Sequence, residues 1–296
     1  VQAEPCKSFL GMRVEQTPEA IHLDLESYTL MATAEFPLDT TTKHYKARDY
    51  DTPCSTELLS IPRSETDASP TLLKQYQKAC GVISYMAFRL RWDLRFTHCL
   101  LALHLARPTE ELLGHAYRCL RYARNTAALK MTFSKVRMRL HAYVDASFAS
   151  HQPTRRSVGA YFLMIGDNEN SNPVHARTNL LKTVCLSSSE AAFAALALCA
   201  RDCVATIKLL KEAGTPTELP VTIYTDSATA KTWIDSPEVS NHKRRHADIS
   251  AKFITQKVDQ GLLNVEWIKG EDQKADWSTK PLPRAQFKKA RKFVLN

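Results

Sequence analysis

The sequence lacks the features that mark membrane proteins, zinc-stabilised domains and disulfide frameworks. No apolar run approaches the roughly 20 residues of a membrane-spanning helix, and no signal-peptide pattern opens the chain. The eight cysteines include no C-x-x-C pair, which argues against zinc and disulfide sites. Internal repeats and low-complexity tracts are also missing. We therefore expect an intracellular protein in a reducing compartment, without a membrane partner.

The bulk composition describes a globular protein with a basic surface. The 296 residues suffice for two ordinary domains, and the 44% of hydrophobic residues can build a proper core. Lysine and arginine outnumber aspartate and glutamate by 40 to 31, which gives a formal charge of +9. That excess suits a polyanionic partner, although a solvated basic surface explains it equally well.

The first half of the chain predicts a mainly helical region. Apolar residues recur at helical spacing along three segments, and two short segments around a Thr17-Pro18 turn predict strands. The predicted helices are residues 74–89, 96–106 and 112–124, and the predicted strands are residues 8–14 and 20–25.

The second half changes to an α/β order. Strands are predicted at residues 140–146, 158–165, 174–178, 221–225 and 263–268, and helices from Ser187, from Ser227, over 247–259 and from Arg284. Three strands, a long helix and then alternating strands and helices fit a mixed sheet with helices on both faces.

Three aspartates in this half lie where strands end. Asp145 is predicted at the end of the first strand, Asp226 follows the strand 221–225, and Asp276 lies in a turn after the last strand. Ligands of α/β proteins bind in crevices at strand ends, and converging carboxylates hold divalent cations. Each acid alone is more often a helix cap or a solvated turn, but the shared placement favours a metal site.

Several segments of the second half resemble one known family. They are AYVDASFAS, RRSVGAYFLMIG, KTVCLSSSEAAFAAL, YTDSATA, RRHADI and EDQKADWSTKPLPRAQF. Together they resemble the ribonuclease H (RNase H) domain of Ty1/copia-type retrotransposon Pol polyproteins. The resemblance implies an RNase H-like mixed five-stranded sheet, Mg²⁺ as the cofactor, and the RNA strand of an RNA–DNA hybrid, or RNA, as the partner. It also places Asp145, Asp226 and Asp276 at three of the family's four catalytic, metal-binding carboxylates.

The fourth carboxylate position departs from the family. The family's catalytic glutamate is the second acid of S-S-T-E-A-E-Y, and Ala192 stands there in this sequence. Glu190 matches the first acid, and the spacing Ser187-x-x-Glu190 predicts a capping box at the helix start. Residues two apart on a helix point about 200° apart, so Glu190 cannot replace the missing ligand. We therefore expect an impaired nuclease, because two-metal cleavage depends on the carboxylates that hold both cations.

The family blocks also suggest which residues contact nucleic acid. By resemblance these are Arg155, Arg156, Arg244, Arg245 and His246. Phosphate contact is the functional interpretation, and a solvated charge run is the alternative. The basic residues Arg118, Arg121 and Arg124 of the first half leave the same two interpretations open.

Residues 7–133 resemble the copia reverse transcriptase downstream of its polymerase active site. The resemblance rests on KSFLGMRVEQ, YQKACGVISYMAFRLRWDLRF and PTEELLGHAYRCLRYARNT, where Trp92 replaces a proline and Gly114-His115 replaces His-Trp. The polymerase motif Y-V-D-D is absent, so polymerisation by this chain alone is excluded. We expect a thumb/connection-like region over residues 1–134 and an RNase H-like domain over 135–296.

Two functions stay open from the sequence. One is an Mg²⁺-dependent endonuclease impaired by Ala192. The other is a non-catalytic nucleic-acid-binding or structural module that works with other proteins of a ribonucleoprotein or retroelement complex.

Overall fold

A computed structural model describes residues 5–167, 170–235 and 245–296, with residues 245–248 described by their backbone alone. The chain forms two compact units. The first comprises residues 1–135 and 281–296, and the second comprises residues 136–280. No helix in these ranges is long and apolar enough to cross a bilayer.

In chain order the strands are β1 (Ser8–Phe9), β2 (Met12–Gln16), β3 (Ala20–Asp24), β4 (Lys130–Ser134), β5 (Leu140–His151), β6 (Arg156–Asp167), β7 (Asn170–Leu180), β8 (Val221–Thr225) and β9 (Leu263–Trp267). The α-helices are α1 (Glu26–Ala34), α2 (Pro70–Arg89), α3 (Arg95–Leu101), α4 (Glu110–Asn125), α5 (Ser188–Glu212), α6 (Ala228–Asp235), α7 (Arg245–Asp259) and α8 (Arg284–Arg291). Short 3-10 helices include Gly270–Asp272 and Asp276–Ser278.

The first unit combines α1–α4 and α8 with an antiparallel sheet in the order β1-β2-β3-β4. The segment predicted as one strand over 8–14 is a hairpin, because Leu10 and Gly11 adopt φ angles of 48° and 76° and turn the chain. β4 was not predicted from the sequence, and it pairs with β3 across more than a hundred residues of chain. Ser69 and Thr109 cap α2 and α4 by accepting hydrogen bonds from the backbone N–H groups of Leu72 and Leu112.

The last residues of the chain close the first unit. Asn296 exchanges two backbone hydrogen bonds of 2.9 Å with Lys130, and the ring of Phe287 lies edge-on to Tyr122 at 6.0 Å. From the sequence, residues 281–296 were expected in the second domain, because the segment EDQKADWSTKPLPRAQF continues beyond Pro281. Their packing partners place them with the first unit instead.

The basic side chains of α4 have protein partners. Arg121 and Arg124 both donate to Asp39, and Arg118 donates to the backbone carbonyl of Cys54 at 2.9 Å. These contacts tie α4 to the segment between α1 and α2. Of the two interpretations left open by the sequence, they favour a structural role over phosphate binding.

Two helical glycines provide a matched test of this packing. A Cβ atom on Gly114 in α4 would lie 2.2 Å from the carbonyl oxygen of His44, whereas one on Gly81 in α2 would meet nothing within 4 Å. Gly114→Ala should therefore destabilise the protein by about 1–3 kcal/mol through the forced backbone shift. Gly81→Ala should stabilise it by about 0.5–1 kcal/mol, as is usual inside a helix. Urea denaturation measures both, and two variants of equal stability would contradict the close approach.

The second unit contains a five-stranded sheet in the order β7-β6-β5-β8-β9. β7, β6 and β5 pair antiparallel, whereas β8 and β9 join β5 in parallel. α5 lies across β5 and β6, and α6 and α7 pack beside it. The mixed five-stranded α/β sheet that the resemblance to RNase H implies is therefore confirmed.

Both faces of the central strands are covered. On one face, Leu140, Ala142 and Val144 of β5 pack against the apolar side of α5. On the other, the ring of Phe162 in β6 stacks on Trp277, which lies in the 3-10 helix Asp276–Ser278, at 5.3 Å. β6 accordingly is buried continuously from residue 157 to residue 166, as expected for a strand buried on both faces.

Candidate metal centre

The register of β5 and β8 places two carboxylates side by side. Tyr143 of β5 is paired in parallel with Tyr224 of β8, and the two rings stack at 5.1 Å. Side chains alternate between the faces of a sheet, so the residues two positions further along, Asp145 and Asp226, point to this same face. The sequence placed Asp145 at the end of its strand, but β5 continues to His151. Asp145 therefore lies within β5, beside the point where β8 ends at Thr225.

The third carboxylate arrives on a loop fixed to the same strand. Asp276 begins the 3-10 helix Asp276–Ser278. The buried side chain of Gln273 donates to the backbone carbonyl of Val144 at 2.9 Å, and the Thr279 hydroxyl donates to Asp145 Oδ2. Hydrogen bonds on both sides of Asp276 therefore hold this loop against β5.

The three aspartates form a compact cluster. One carboxylate oxygen from each of Asp145, Asp226 and Asp276 lies within 4.8 Å of the others. The ammonium of Lys280 lies 2.7 Å from Asp276 Oδ1 and 3.9 Å from Asp145 Oδ2. The cluster thus carries three carboxylates and one ammonium, which leaves an excess of negative charge when all of them are ionised.

Burial shifts the proton affinity of these groups. Asp145 is 5% exposed, and this burial raises its pKa to about 6, opposed by Lys280 and by the hydrogen bond from Thr279. Burial also raises the pKa of Asp226. For Lys280, burial alone would lower the pKa, but Asp145 and Asp276 outweigh it and raise the pKa. Converging oxygen donors with uncompensated negative charge fit a divalent cation such as Mg²⁺, which prefers oxygen ligands.

The start of α5 shows what Glu190 does. Ser187 caps the helix by accepting from the Glu190 N–H at 3.1 Å, and Glu190 Oε2 accepts from the Leu186 N–H at 2.6 Å. The expected capping role is confirmed, although the glutamate reaches the residue before the cap. Ala192 is partly exposed and packs at the edge of the core, whereas Ala191 is fully buried.

Comparison with known proteins aligns nearly the whole chain with transposon polyproteins. It is 30% identical over 281 residues to the "Retrovirus-related Pol polyprotein from transposon RE1" and 29% identical over 281 residues to that from transposon RE2, both from Arabidopsis thaliana. Each alignment covers 94% of this chain. The homologues of this chain are Pol polyproteins of copia/Ty1-type transposons. The Pol polyprotein of transposon TNT 1-94 from Nicotiana tabacum is also similar, with 26% identity over 98% of the chain.

The chain spans only part of the length of these relatives. It covers 18% of the length of the two Arabidopsis proteins and 21% of the tobacco protein. No family model matches it. Among solved structures, an RNase H1 isolated from compost aligns with 48% of this chain and 96% of its own, at 15% identity and a TM-score of 0.35.

The residues predicted to contact nucleic acid lie in different surroundings. Arg156 is half-buried and donates to the backbone carbonyls of Leu180 and Leu181, so it holds the end of β7. Arg155 is exposed in the turn before β6 and remains available to a phosphate. The other predicted contacts cannot be placed. Arg244 lies outside the described residues, and of Arg245 and His246 only the backbone, at the start of α7, lies within them.

Three residues of the site were not predicted from the sequence: Gln273, Thr279 and Lys280. All three belong to the segment EDQKADWSTKPLPRAQF that carried the resemblance. Membership of this segment was therefore the signal available in the sequence. The contacts of Thr279 and Lys280 with Asp145 could not be foreseen from the sequence, because they join segments more than a hundred residues apart.

A buried histidine on the same sheet face predicts a pH dependence of stability. His141 is 2% exposed beside Tyr143 and Tyr224, and burial lowers its pKa to about 4. Because the unfolded histidine titrates near pH 6.5, its contribution is complete above that pH and is lost as the pH falls towards 4. His141→Phe should reduce the loss of unfolding free energy between pH 7 and pH 4.5 by on the order of 2 kcal/mol. Denaturant titrations at several pH values measure this, and parallel curves for the two proteins would contradict it.

Proposed function

We propose that residues 136–280 are an RNase H-like domain derived from an Mg²⁺-dependent endonuclease that cuts the RNA strand of RNA–DNA hybrids. The observation that carries the proposal is the cluster of Asp145, Asp226 and Asp276 on one face of the mixed sheet, beside the end of β8. Hydrolysis is impaired in this chain because Ala192 supplies no carboxylate. The similarity to transposon Pol polyproteins and the mixed five-stranded sheet support this proposal.

The three aspartates would hold the cation. When bound, Mg²⁺ stabilises the charge that develops on the phosphate oxygens during cleavage. The chain's own task is to position these ligands. Thr279 orients Asp145 through its hydroxyl, and Gln273 fixes the loop that carries Asp276. With Ala192 in place of a fourth carboxylate, the charge and the donors for a second cation are reduced.

The second candidate function is a non-catalytic module that binds nucleic acid or other proteins of a ribonucleoprotein complex. Ala192 is the observation that favours it, because a chain that need not cleave can lose one carboxylate without losing its fold. A measurement of hybrid binding distinguishes a chain that binds nucleic acid, whether or not it cleaves, from a chain that does not. Affinity for a labelled RNA–DNA hybrid should fall steeply as salt rises if phosphates are bound, since bound phosphates release counterions.

Metal binding to the full chain tests the site itself. Isothermal titration with Mn²⁺ should detect binding to the wild type and its loss in Asp276→Asn. Asp272→Asn is the matched control, because Asp272 is exposed in the same loop and lies outside the cluster. A wild type that binds no divalent metal, or two variants that bind equally well, would remove the basis of the proposal.

A further inference from the structure

Lys280 is the only described cation within ion-pair distance of the aspartate cluster. Its ammonium lies 2.7 Å from Asp276 Oδ1 and 3.9 Å from Asp145 Oδ2. These are two of the three residues that would hold a divalent metal. The lysine is about 39% exposed, so its side chain is half-buried beside a carboxylate that is almost completely buried.

The position of this lysine is fixed by the chain around it. Asp276 and Lys280 are four residues apart and span the 3-10 helix, so the ion pair closes locally. Thr279, the neighbour of Lys280, is bonded to both Asp145 and the backbone carbonyl of Asp276. These hydrogen bonds fix the backbone from which the Lys280 side chain reaches the carboxylates.

A fixed positive charge in this place has two opposite effects. In the metal-free protein it offsets the repulsion among three neighbouring carboxylates. A divalent metal held by the same carboxylates would be repelled by this charge, and the ammonium already occupies one oxygen of Asp276. The first effect stabilises the fold without metal, and the second weakens metal binding.

We propose that Lys280 is a resident counter-cation of the aspartate cluster, which holds the site together without metal and lowers its affinity for divalent ions. The inference rests on the proposed metal site and adds a residue that sets its affinity. Because residue 192 is alanine rather than glutamate, the site already has one anionic ligand fewer, and repulsion by Lys280 would weaken metal binding further. Lys280 therefore contributes to weak metal binding independently of Ala192.

The test compares two lysines of one segment in the full chain. Lys280→Met should tighten Mn²⁺ binding roughly tenfold in isothermal titration at low salt, because it removes a charge beside the metal. It should also lower the melting temperature without metal and enlarge the rise that Mn²⁺ produces. Lys274→Met is the control of equal charge change, because the Lys274 ammonium lies over the Tyr143 ring at 4.9 Å. That variant should leave Mn²⁺ affinity within twofold of the wild type.

The outcomes separate this inference from the proposed function. Absence of Mn²⁺ binding in the wild type and both variants would overturn the metal site and this inference with it. Wild-type binding that Lys280→Met leaves unchanged or weakens would overturn the counter-cation role alone. Weaker hybrid binding by Lys280→Met, at unchanged Mn²⁺ affinity, would instead assign the lysine to a substrate phosphate. If Lys280→Met and Lys274→Met raised the Mn²⁺ affinity equally, the change in net charge would explain the gain, and the inference would be contradicted.

Discussion

Ala192→Glu should raise the rate of Mg²⁺-dependent cleavage of an RNA–DNA hybrid by about 10²–10³-fold, the size of effect associated with one preorganised electrostatic group. The substitution supplies the carboxylate that the family's motif has at this position. It should also tighten Mg²⁺ binding, because an anionic ligand joins Asp145, Asp226 and Asp276. Gel analysis of a labelled hybrid, with RNA and DNA strands followed separately, measures the cleavage.

The fold should tolerate this glutamate. Ala192 is partly exposed and lies within the first turns of α5, where a negative charge is favoured by the helix dipole. Ala194→Glu is a matched control, because Ala194 is also partly exposed on α5 and points about 200° away. It should give no gain in cleavage. Adding Asp145→Asn to Ala192→Glu should abolish the gain, since both carboxylates would serve the same ions.

Failure of this substitution would also be informative. If Ala192→Glu folds normally, binds Mn²⁺ and the hybrid, and still cleaves nothing, then the nuclease site has decayed beyond one residue. The non-catalytic module would then become the better account of the chain.

Asp93→Ala should destabilise the protein by about 3–5 kcal/mol, because it leaves the guanidinium of Arg91 buried without its counter-ion. The two side chains are fully buried and form a two-point ion pair, with N–O distances of 2.8 and 3.0 Å. The Tyr122 hydroxyl also donates to Asp93 at 2.7 Å, and Arg91 donates to the Thr126 hydroxyl at 2.7 Å. Chemical denaturation of the full chain measures the loss.

A surface ion pair of the same length provides the control for burial. Arg107 and Asp67 are also 2.8 Å apart, but they are 52% and 84% exposed. Asp67→Ala should therefore change stability by less than about 1 kcal/mol. The double variant Arg91→Met/Asp93→Leu should recover part of the loss, since an apolar pair removes the unpaired charge. Equal losses in Asp93→Ala and Asp67→Ala would show that burial does not govern this pair.

Local pattern was enough to predict most elements of the second unit. The strand 221–225 agrees residue for residue with β8, and Ser187 caps α5 as the S-x-x-E spacing indicates. Asp226 follows β8 as expected, because the end of a short buried strand is visible in the sequence. The family motif then identified Asp145 and Asp276, whose meeting depends on sheet pairing that local pattern does not contain.

Contacts between distant segments were beyond sequence reasoning. In the sequence, Arg91 and Asp93 are two ordinary charges, and only their burial under α4 shows that they form the polar centre of the first unit. Gly114, where the family has a histidine, is likewise explained only by the structure. A Cβ atom at this position would lie 2.2 Å from the carbonyl oxygen of His44. Lys280 was one basic residue of a motif, and its nearness to Asp145 depends on a partner 135 positions earlier.

The chain leaves the first unit at residue 135 and returns to it at residue 281, which has a consequence for folding during synthesis. A ribosome delivers residues 136–280 before the segment that bonds to Lys130 and packs on Tyr122. At 5–20 residues per second the delay is on the order of ten seconds. The second unit, continuous in sequence, can complete itself in that interval. Until α8 and the residues after it emerge, the first unit lacks the hydrogen bonds between Lys130 and Asn296 and the contact of Phe287 with Tyr122.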